Sequence, residues 1–212
     1  MKVCEIFTSI QGESTYAGLP CTFVRLTGCN LRCSYCDTQY AFEEGAAHDI
    51  GDIIALVRKA GIPLVEITGG EPLMQKAELQ LLVSRLLDSG FQVLIETNGS
   101  QNVGGIDVRA VIILDLKTPG SGMGDMNDFS NIACLKPADE VKFVICDRAD
   151  YVWAKDVIGR YDLQDRCTVL LSPAIGRLEP RLLSEWIIQD RLRVRLNLQL
   201  HKYIFGLNER GV

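Results

Sequence analysis

Cys29, Cys33 and Cys36 fall within the stretch GCNLRCSYCDT (28–38). Thiolates bind soft and borderline metals, so their number and spacing decide which centre they suit. A closed structural zinc site takes four ligands, usually as two CxxC-like pairs. Here the local count is three, and the chain offers no second pair. A redox CxxC at Cys33 and Cys36 is chemically sound but leaves Cys29 without a role. Three thiolates suit an iron–sulfur cluster with one iron left open, since four cysteines close a [4Fe–4S] centre. An open iron takes a substrate or a cofactor. Cys4, Cys21, Cys134, Cys146 and Cys167 lie in or beside apolar segments. They are expected in the core, where a free cysteine behaves as a small hydrophobe.

The elements that position this loop read from hydrophobic pattern. Strands are expected near 3–10, 21–27, 64–68, 91–96, 111–117, 140–146, 167–172 and 193–204, and helices near 49–60, 75–89, 148–160 and 180–190. KAELQLLVSRLLDSG has apolar residues at helical spacing and stops at Gly90, a good C-cap. Strands alternating with helices imply βα units around a parallel sheet, an α/β fold. The length, 212 residues, suits a single domain spanning 1–212. Glycine-bearing turns follow three of the strands, at Gly69-Gly70, after Thr97 and after Lys117. In parallel α/β folds such turns meet at the ligand-binding edge. In RLRVRLNLQLHKY, Val194, Leu196, Leu198 and Leu200 alternate with Arg193, Arg195, Asn197, Gln199 and His201. Period two predicts a last strand with His201 on its polar face. Its run Arg191-Leu192-Arg193-Val194-Arg195 reads as a polar strand face, and His48 as a surface residue in a polar loop.

Composition narrows the function. Apolar residues make up 47%, charged residues 23%, and the net charge is −5. An acidic chain lacks the basic footprint of a nucleic-acid binder, so no direct nucleic-acid partner is expected. No apolar run approaches the roughly 18 residues that a membrane span needs. The start, MKVCEIFTSIQGES, has none of the parts of a signal peptide. A cytoplasmic protein is expected, in which metal ligation explains cysteines better than disulfides do.

CxxxCxxC with Tyr35 before its last cysteine, followed by a strand and TGGEP (68–72), resembles the radical S-adenosylmethionine signature. That resemblance implies one [4Fe–4S] cluster on Cys29, Cys33 and Cys36, with S-adenosylmethionine chelated at the open iron. It also implies that Gly70 and Glu71 hold the cofactor's ammonium. FTSIQGES (7–14), FVRLTGCNLRCSYCDT (23–38), ETNG (96–99), DLKTPGSG (115–122) and QLHKYIFG (199–206) extend the match from end to end. Together they are similar to the 7-carboxy-7-deazaguanine synthase family. The implied fold is a partial, modified (β/α) barrel of the radical S-adenosylmethionine type, with its cluster loop at 28–42. The implied reaction converts 6-carboxy-5,6,7,8-tetrahydropterin to 7-carboxy-7-deazaguanine, with loss of ammonia and ring contraction, on the route to queuosine and other deazapurines.

The same resemblance implies residue roles. Arg25 would fork onto the substrate carboxylate, planar group to planar anion. Ile10, Gln11, Gly12 and Glu13 would line the pterin, and Thr68, His201 and Val212 would also contact substrate. Thr38 would ligate Mg²⁺, which often takes few protein ligands beside substrate oxygens. Tyr35, Asp37, Glu96, Lys117 and Ser172 would join Gly70 and Glu71 around S-adenosylmethionine, although LLSPAIG around Ser172 departs from the family pattern. An external electron donor such as flavodoxin or ferredoxin and a homodimer are implied as partners. Two rivals share parts of these signals. A glycyl-radical activase carries the three-cysteine motif but needs a groove for a protein glycine. A zinc-binding or redox interaction module needs no catalysis.

Overall fold

The computed structural model describes residues 1–207 and 209–212. The β-branched and aliphatic runs form β1 (Lys2–Ile10), β2 (Pro20–Leu26), β3 (Ala46–Ala47), β4 (Leu64–Gly69), β5 (Gln92–Thr97), β6 (Val111–Asp115), β7 (Glu140–Ile145), β8 (Thr168–Pro173) and β9 (Arg195–Leu196). The helices are α1 (Ile50–Ala60), α2 (Lys76–Asp88), α3 (Arg148–Arg160), α4 (Leu163–Arg166), α5 (Pro180–Asp190) and α6 (Leu200–Phe205). All strands join one sheet in the order β3-β1-β2-β4-β5-β6-β7-β8-β9. From β2 to β9 each neighbouring pair is parallel. Antiparallel β1 and β3 extend the first edge. This is the expected α/β architecture, a parallel sheet curled into a partial barrel.

Strand periodicity sorts the side chains. In β4, Val65 and Ile67 point outward into the main core, with Leu82, Leu86, Ile53 and Val57 from the covering helices. The opposite parity faces the barrel interior. There Cys21, Phe23, Leu64, Leu94, Val111 and Ile113 form a small apolar plug, with Phe7 and Tyr16 packed on it. Further along the same strands, the interior face turns polar at Arg25, Glu66, Thr68, Glu96, Asp115 and Lys142. The plug therefore closes the lower end of the barrel and leaves a charged chamber above it.

The helix ends follow the local chemistry. α1 stops at Gly61, which adopts φ +71° and returns its N–H to the Arg58 carbonyl. Asp147 caps α3 by accepting from the Asp150 N–H. Among the described residues no helix is long and apolar enough to cross a membrane.

The last expected strand is largely absent. Only Arg195–Leu196 pair with β8, and the chain then leaves the sheet and turns into α6. The Asn197 side chain accepts from the Ser14 N–H at 2.9 Å and donates to Ser172 Oγ at 2.8 Å. The Leu200 N–H goes to the Gly12 carbonyl at 2.8 Å. These bonds to the loop after β1 replace the ladder that period two predicts. His201 thus sits on a helix, and Arg193 pairs with Asp165 instead of marking a strand face. Cys21 and Cys146 are buried as expected, Cys4 and Cys167 are half-buried, and Cys134 is exposed. Cys134 ends a 3₁₀ turn, Phe129–Cys134, in which Asn131 and Ile132 take the buried positions. His48, expected at the surface, is half-buried.

Candidate active site

A cavity of about 610 Å³ fills the barrel and reaches the turns at the carboxyl ends of the strands. Its upper wall is the loop after β2. Cys29, Cys33 and Cys36 are all half-buried and line this wall. Among the described residues no three Cys, His, Asp or Glu side chains converge on one ion-sized point. Burial raises the Cys29 and Cys33 thiols above their ordinary range, and Lys117 pulls both back. The Leu31 N–H lies 3.4 Å from Cys29 Sγ and Asn98 Nδ2 lies 3.8 Å away, so two donors already face this sulfur.

Backbone contacts fix the loop. The Gly28 N–H reaches the Ala41 carbonyl at 2.8 Å, and the Ser34 N–H reaches Ser121 at 2.9 Å. The TGGEP turn packs directly beneath. A Cβ on Gly70 would collide with the Gly28 carbonyl and fall 2.9 Å from Cys29 Cβ. Gly69 holds φ +146°, open to glycine alone at low cost.

Glu71 sits behind the chamber wall. The side chain is fully buried and outside the cavity lining. Its carboxylate accepts from Leu73 N at 2.9 Å, Thr97 Oγ1 at 2.8 Å and Asn98 N at 2.7 Å. Those bonds tie the TGGEP turn to the ETNG turn and leave the backbone of Gly69 and Gly70 as the face toward a ligand. Gly12 also lies outside the lining, because a Cβ there would collide with the His201 ring. Every other expected site residue lines the chamber: Ile10, Gln11, Glu13, Arg25, Tyr35, Asp37, Thr38, Thr68, Gly70, Glu96, Lys117, Ser172, His201 and Val212.

The chamber carries a dense set of charges. Arg25 Nε donates to Glu5 Oε1 at 2.7 Å, and the guanidinium lies 5.7 Å from the Phe7 ring centre and 6.0 Å from that of Tyr40. Glu5 and the two rings orient the fork from behind. Lys142 Nζ contacts Glu96, lies 3.1 Å from Glu13 Oε2 and lies 3.4 Å from Asp115 Oδ2. Lys117 Nζ sits 3.0 Å from the same Asp115 oxygen. Burial works against the Glu13 charge, but Lys142 and Gln199 outweigh it and hold the carboxyl near about 2. Burial also opposes the charge of Lys117, and Asp115 reverses the balance, so the ammonium stays above its usual range.

Residues 199–202 and the terminus close the side of the chamber. Gln199 Nε2 donates to Glu13 Oε1 at 2.9 Å, and Lys202 pairs with Asp37 of the cluster loop. Burial lowers the His201 imidazole although Glu13 pulls the other way. Thr38 Oγ1 lies 3.8 Å from Cys36 Sγ. Among the described residues the buried Tyr35 hydroxyl has no hydrogen-bond partner, and the ring faces Lys117 and Arg177 at 6.0 and 5.9 Å.

Sequence reasoning missed Glu66, Asp115, Lys142, Asn98, Arg177 and Asn197. A signal existed for three of them. Glu66, Asp115 and Lys142 are charged residues at interior parity in otherwise apolar parallel strands, and buried charge there demands a partner or a ligand.

With this geometry in place, comparison with known proteins is specific. The radical SAM superfamily pattern matches residues 23–109. A 7-carboxy-7-deazaguanine synthase of Chlorobaculum tepidum is 47% identical, covering 100% of this chain and 97% of that one. That of Koribacter versatilis is 43% identical over 100% of both chains. Among solved structures, QueE from Escherichia coli aligns with a TM-score of 0.80 at 24% identity over 94% of each chain. Streptococcus suis SuiB aligns at 0.56 and 15% identity, covering 87% of this chain and 51% of its own. The solved structures establish the fold, and the end-to-end identity to curated relatives places the chain in the 7-carboxy-7-deazaguanine synthase family of the radical SAM superfamily.

Proposed function

We propose that this protein is a radical S-adenosylmethionine lyase that converts 6-carboxy-5,6,7,8-tetrahydropterin to 7-carboxy-7-deazaguanine, releasing ammonia by ring contraction, for queuosine and related deazapurines. One observation carries the reading. The three thiols, the bare backbone of the TGGEP turn and the Arg25 fork face a single chamber. The thiols and the turn fit a [4Fe–4S] cluster with S-adenosylmethionine, and the fork fits a small carboxylate. When bound, the cluster and cofactor would supply radical chemistry able to remove hydrogen from the substrate.

The residues of the chain bind and orient. Cys29, Cys33 and Cys36 hold the cluster. Gly70, Tyr35, Asp37, Glu96, Lys117 and Ser172 surround the cofactor, and Glu71 shapes their turn from below. Arg25, braced by Glu5, takes the substrate carboxylate through charge-assisted hydrogen bonds. Ile10, Gln11 and Glu13 form the floor under the bicycle, Thr68, His201 and Val212 its sides, and Gly12 lets the His201 ring approach. Thr38 offers a hydroxyl to Mg²⁺ beside Cys36. The chamber is shut from below by the plug and from the side by residues 199–202, which favours a small molecule over the protein glycine of an activase.

Partners follow from the chemistry. A one-electron donor of the flavodoxin or ferredoxin kind would supply the reducing electron. Leu198, Tyr203, Ile204, Phe205 and Leu207 form an exposed apolar run on and beside α6, and this supports a homodimer. Eight free cysteines agree with a cytoplasmic setting.

The test is anaerobic incubation of the reconstituted protein with S-adenosylmethionine, a reductant and the carboxypterin, with mass detection of 7-carboxy-7-deazaguanine. Product that rises on adding Mg²⁺, and rises less in Thr38→Ala, is expected. Uncoupled cofactor cleavage without product would overturn the reading.

A further inference from the structure

Glu66 is the chamber's one carboxylate without a cation among the described residues. It lies at the third position of β4, one interior step above Leu64 of the plug and one below Thr68. The residue is only 2% exposed, yet its side chain lines the cavity. Gln11 Nε2 donates to Oε2, and no Lys or Arg comes within ion-pair distance of it. Lys142 is taken by Glu13, Glu96 and Asp115. Arg25 is taken from behind by Glu5.

Pairing then decides the state of Glu66. Glu13, Glu96 and Asp115 share Lys142, and Lys117 pairs with Asp115, so neither lysine is free for Glu66. The substrate of the proposed reaction adds another carboxylate beside Arg25. A further buried negative charge with no partner is very costly, and such a group keeps its proton instead. A protonated carboxyl has what none of its acidic neighbours has, an O–H donor. Gln11 occupies Oε2, so the donor points from Oε1.

We propose that Glu66 works as a neutral carboxylic acid on the chamber floor and donates a hydrogen bond to an acceptor on the pyrimidine edge of the bound bicycle, which makes it a specificity-determining residue. The inference rests on the carboxypterin reading above. Burial raises the Glu66 carboxyl well above the ordinary range; Glu96 and Glu13 add to this, while Lys142 and Arg25 oppose it. Those four, with the neutral Cys21 thiol of β2 below, are the groups that act on it most strongly. Ionisation of Glu66 removes the donor and sets a negative charge against the ligand. Affinity therefore falls as pH rises through the Glu66 titration, by about tenfold per pH unit.

The experiment measures carboxypterin binding to the anaerobic holoenzyme across neutral and alkaline pH, for wild type, Glu66→Gln and Glu66→Leu. Wild type should bind at neutral pH and weaken along an alkaline limb. Glu66→Gln keeps an N–H donor that cannot ionise, so it should weaken neutral binding by less than about tenfold and lose the limb. Glu66→Leu has no donor and should weaken neutral binding by about tenfold or more. Infrared difference spectra should show the carbonyl stretch of a protonated carboxylic acid in wild type at neutral pH, absent in Glu66→Gln. An unchanged alkaline limb in Glu66→Gln, or no protonated-acid band in wild type, overturns the proposal. A wild type that binds no carboxypterin at any pH overturns the substrate reading instead.

Discussion

Arg177 donates from Nη2 to the Ser34 carbonyl at 2.7 Å and from Nη1 to the Ser34 hydroxyl at 3.0 Å. The arginine follows β8, while Ser34 sits between Cys33 and Cys36, so the far edge of the barrel holds the loop proposed to carry the cluster. A guanidinium clamp on a backbone carbonyl is worth more than a neutral bond. Arg177→Ala should still bind iron on reconstitution but lose it about tenfold faster in air, because the loop opens more often. Arg177→Lys should restore part of the lifetime. Decay of the brown absorbance and the line shape of the reduced cluster in electron paramagnetic resonance are the readouts, and wild-type behaviour of both in Arg177→Ala would show the clamp to be idle.

The cysteines divide sharply by position. Replacing Cys29, Cys33 or Cys36 with Ala removes one of three thiolate ligands, so iron and sulfide content and all turnover should collapse. Cys134 is exposed and away from the chamber, and Cys134→Ala should keep its iron. Loss of iron in Cys134→Ala to the level of Cys33→Ala would break the three-ligand assignment.

Arg25 separates substrate binding from cofactor chemistry. Taking away one partner of a buried charge pair costs about 2–5 kcal/mol. Arg25→Ala should weaken carboxypterin binding by about thirty-fold or more, while reductive cleavage of S-adenosylmethionine without substrate continues. Arg25→Lys should recover only part of the affinity, since an ammonium has no fork. Wild-type affinity in Arg25→Ala would make it a structural residue of β2.

Lys142 holds the chamber together electrostatically. Glu13 is depressed to about 2 from an ordinary value of 4.5. A depressed carboxylate adds stability above its unfolded value, and that stability is lost as pH falls from about 4.5 toward about 2. Lys142→Met leaves the half-buried Glu13 and Glu96 without their cation, so it should lower stability near neutral pH by about 1–3 kcal/mol. It should also flatten the acid limb, because Glu13 no longer titrates so low. Thermal melts of the apoprotein from pH 3 to pH 7 test both effects; an equally steep acid limb in the variant would assign it to other carboxylates.

The parallel sheet was legible because its strands are buried on both faces and read as apolar runs between glycine turns. The cluster loop was legible because thiol spacing is local information. Two kinds of feature were not. The 193–204 segment alternates like a strand, yet side-chain bonds from Asn197 and the Leu200–Gly12 backbone bond draw it off the sheet. Contacts between residues nearly two hundred positions apart leave no local pattern. Glu71 was legible as an acidic residue after two glycines, but the bonds its carboxylate accepts from Thr97 and Asn98 were not, because only the fold brings the ETNG turn within reach.

The bond from Leu200 to Gly12 also bears on the order in which the enzyme becomes competent during synthesis. Every strand but β9 and all three cluster cysteines leave the ribosome before the segment that closes the chamber. A chain cut short after β8 would carry the whole cluster loop beneath an unfinished wall, with Glu13 missing Asn197 and Gln199 and Asp37 missing Lys202. Such a fragment would admit water and oxygen to the place where a radical is made. Substrate confinement is thus translated after the strands and the loop that carries the three cysteines.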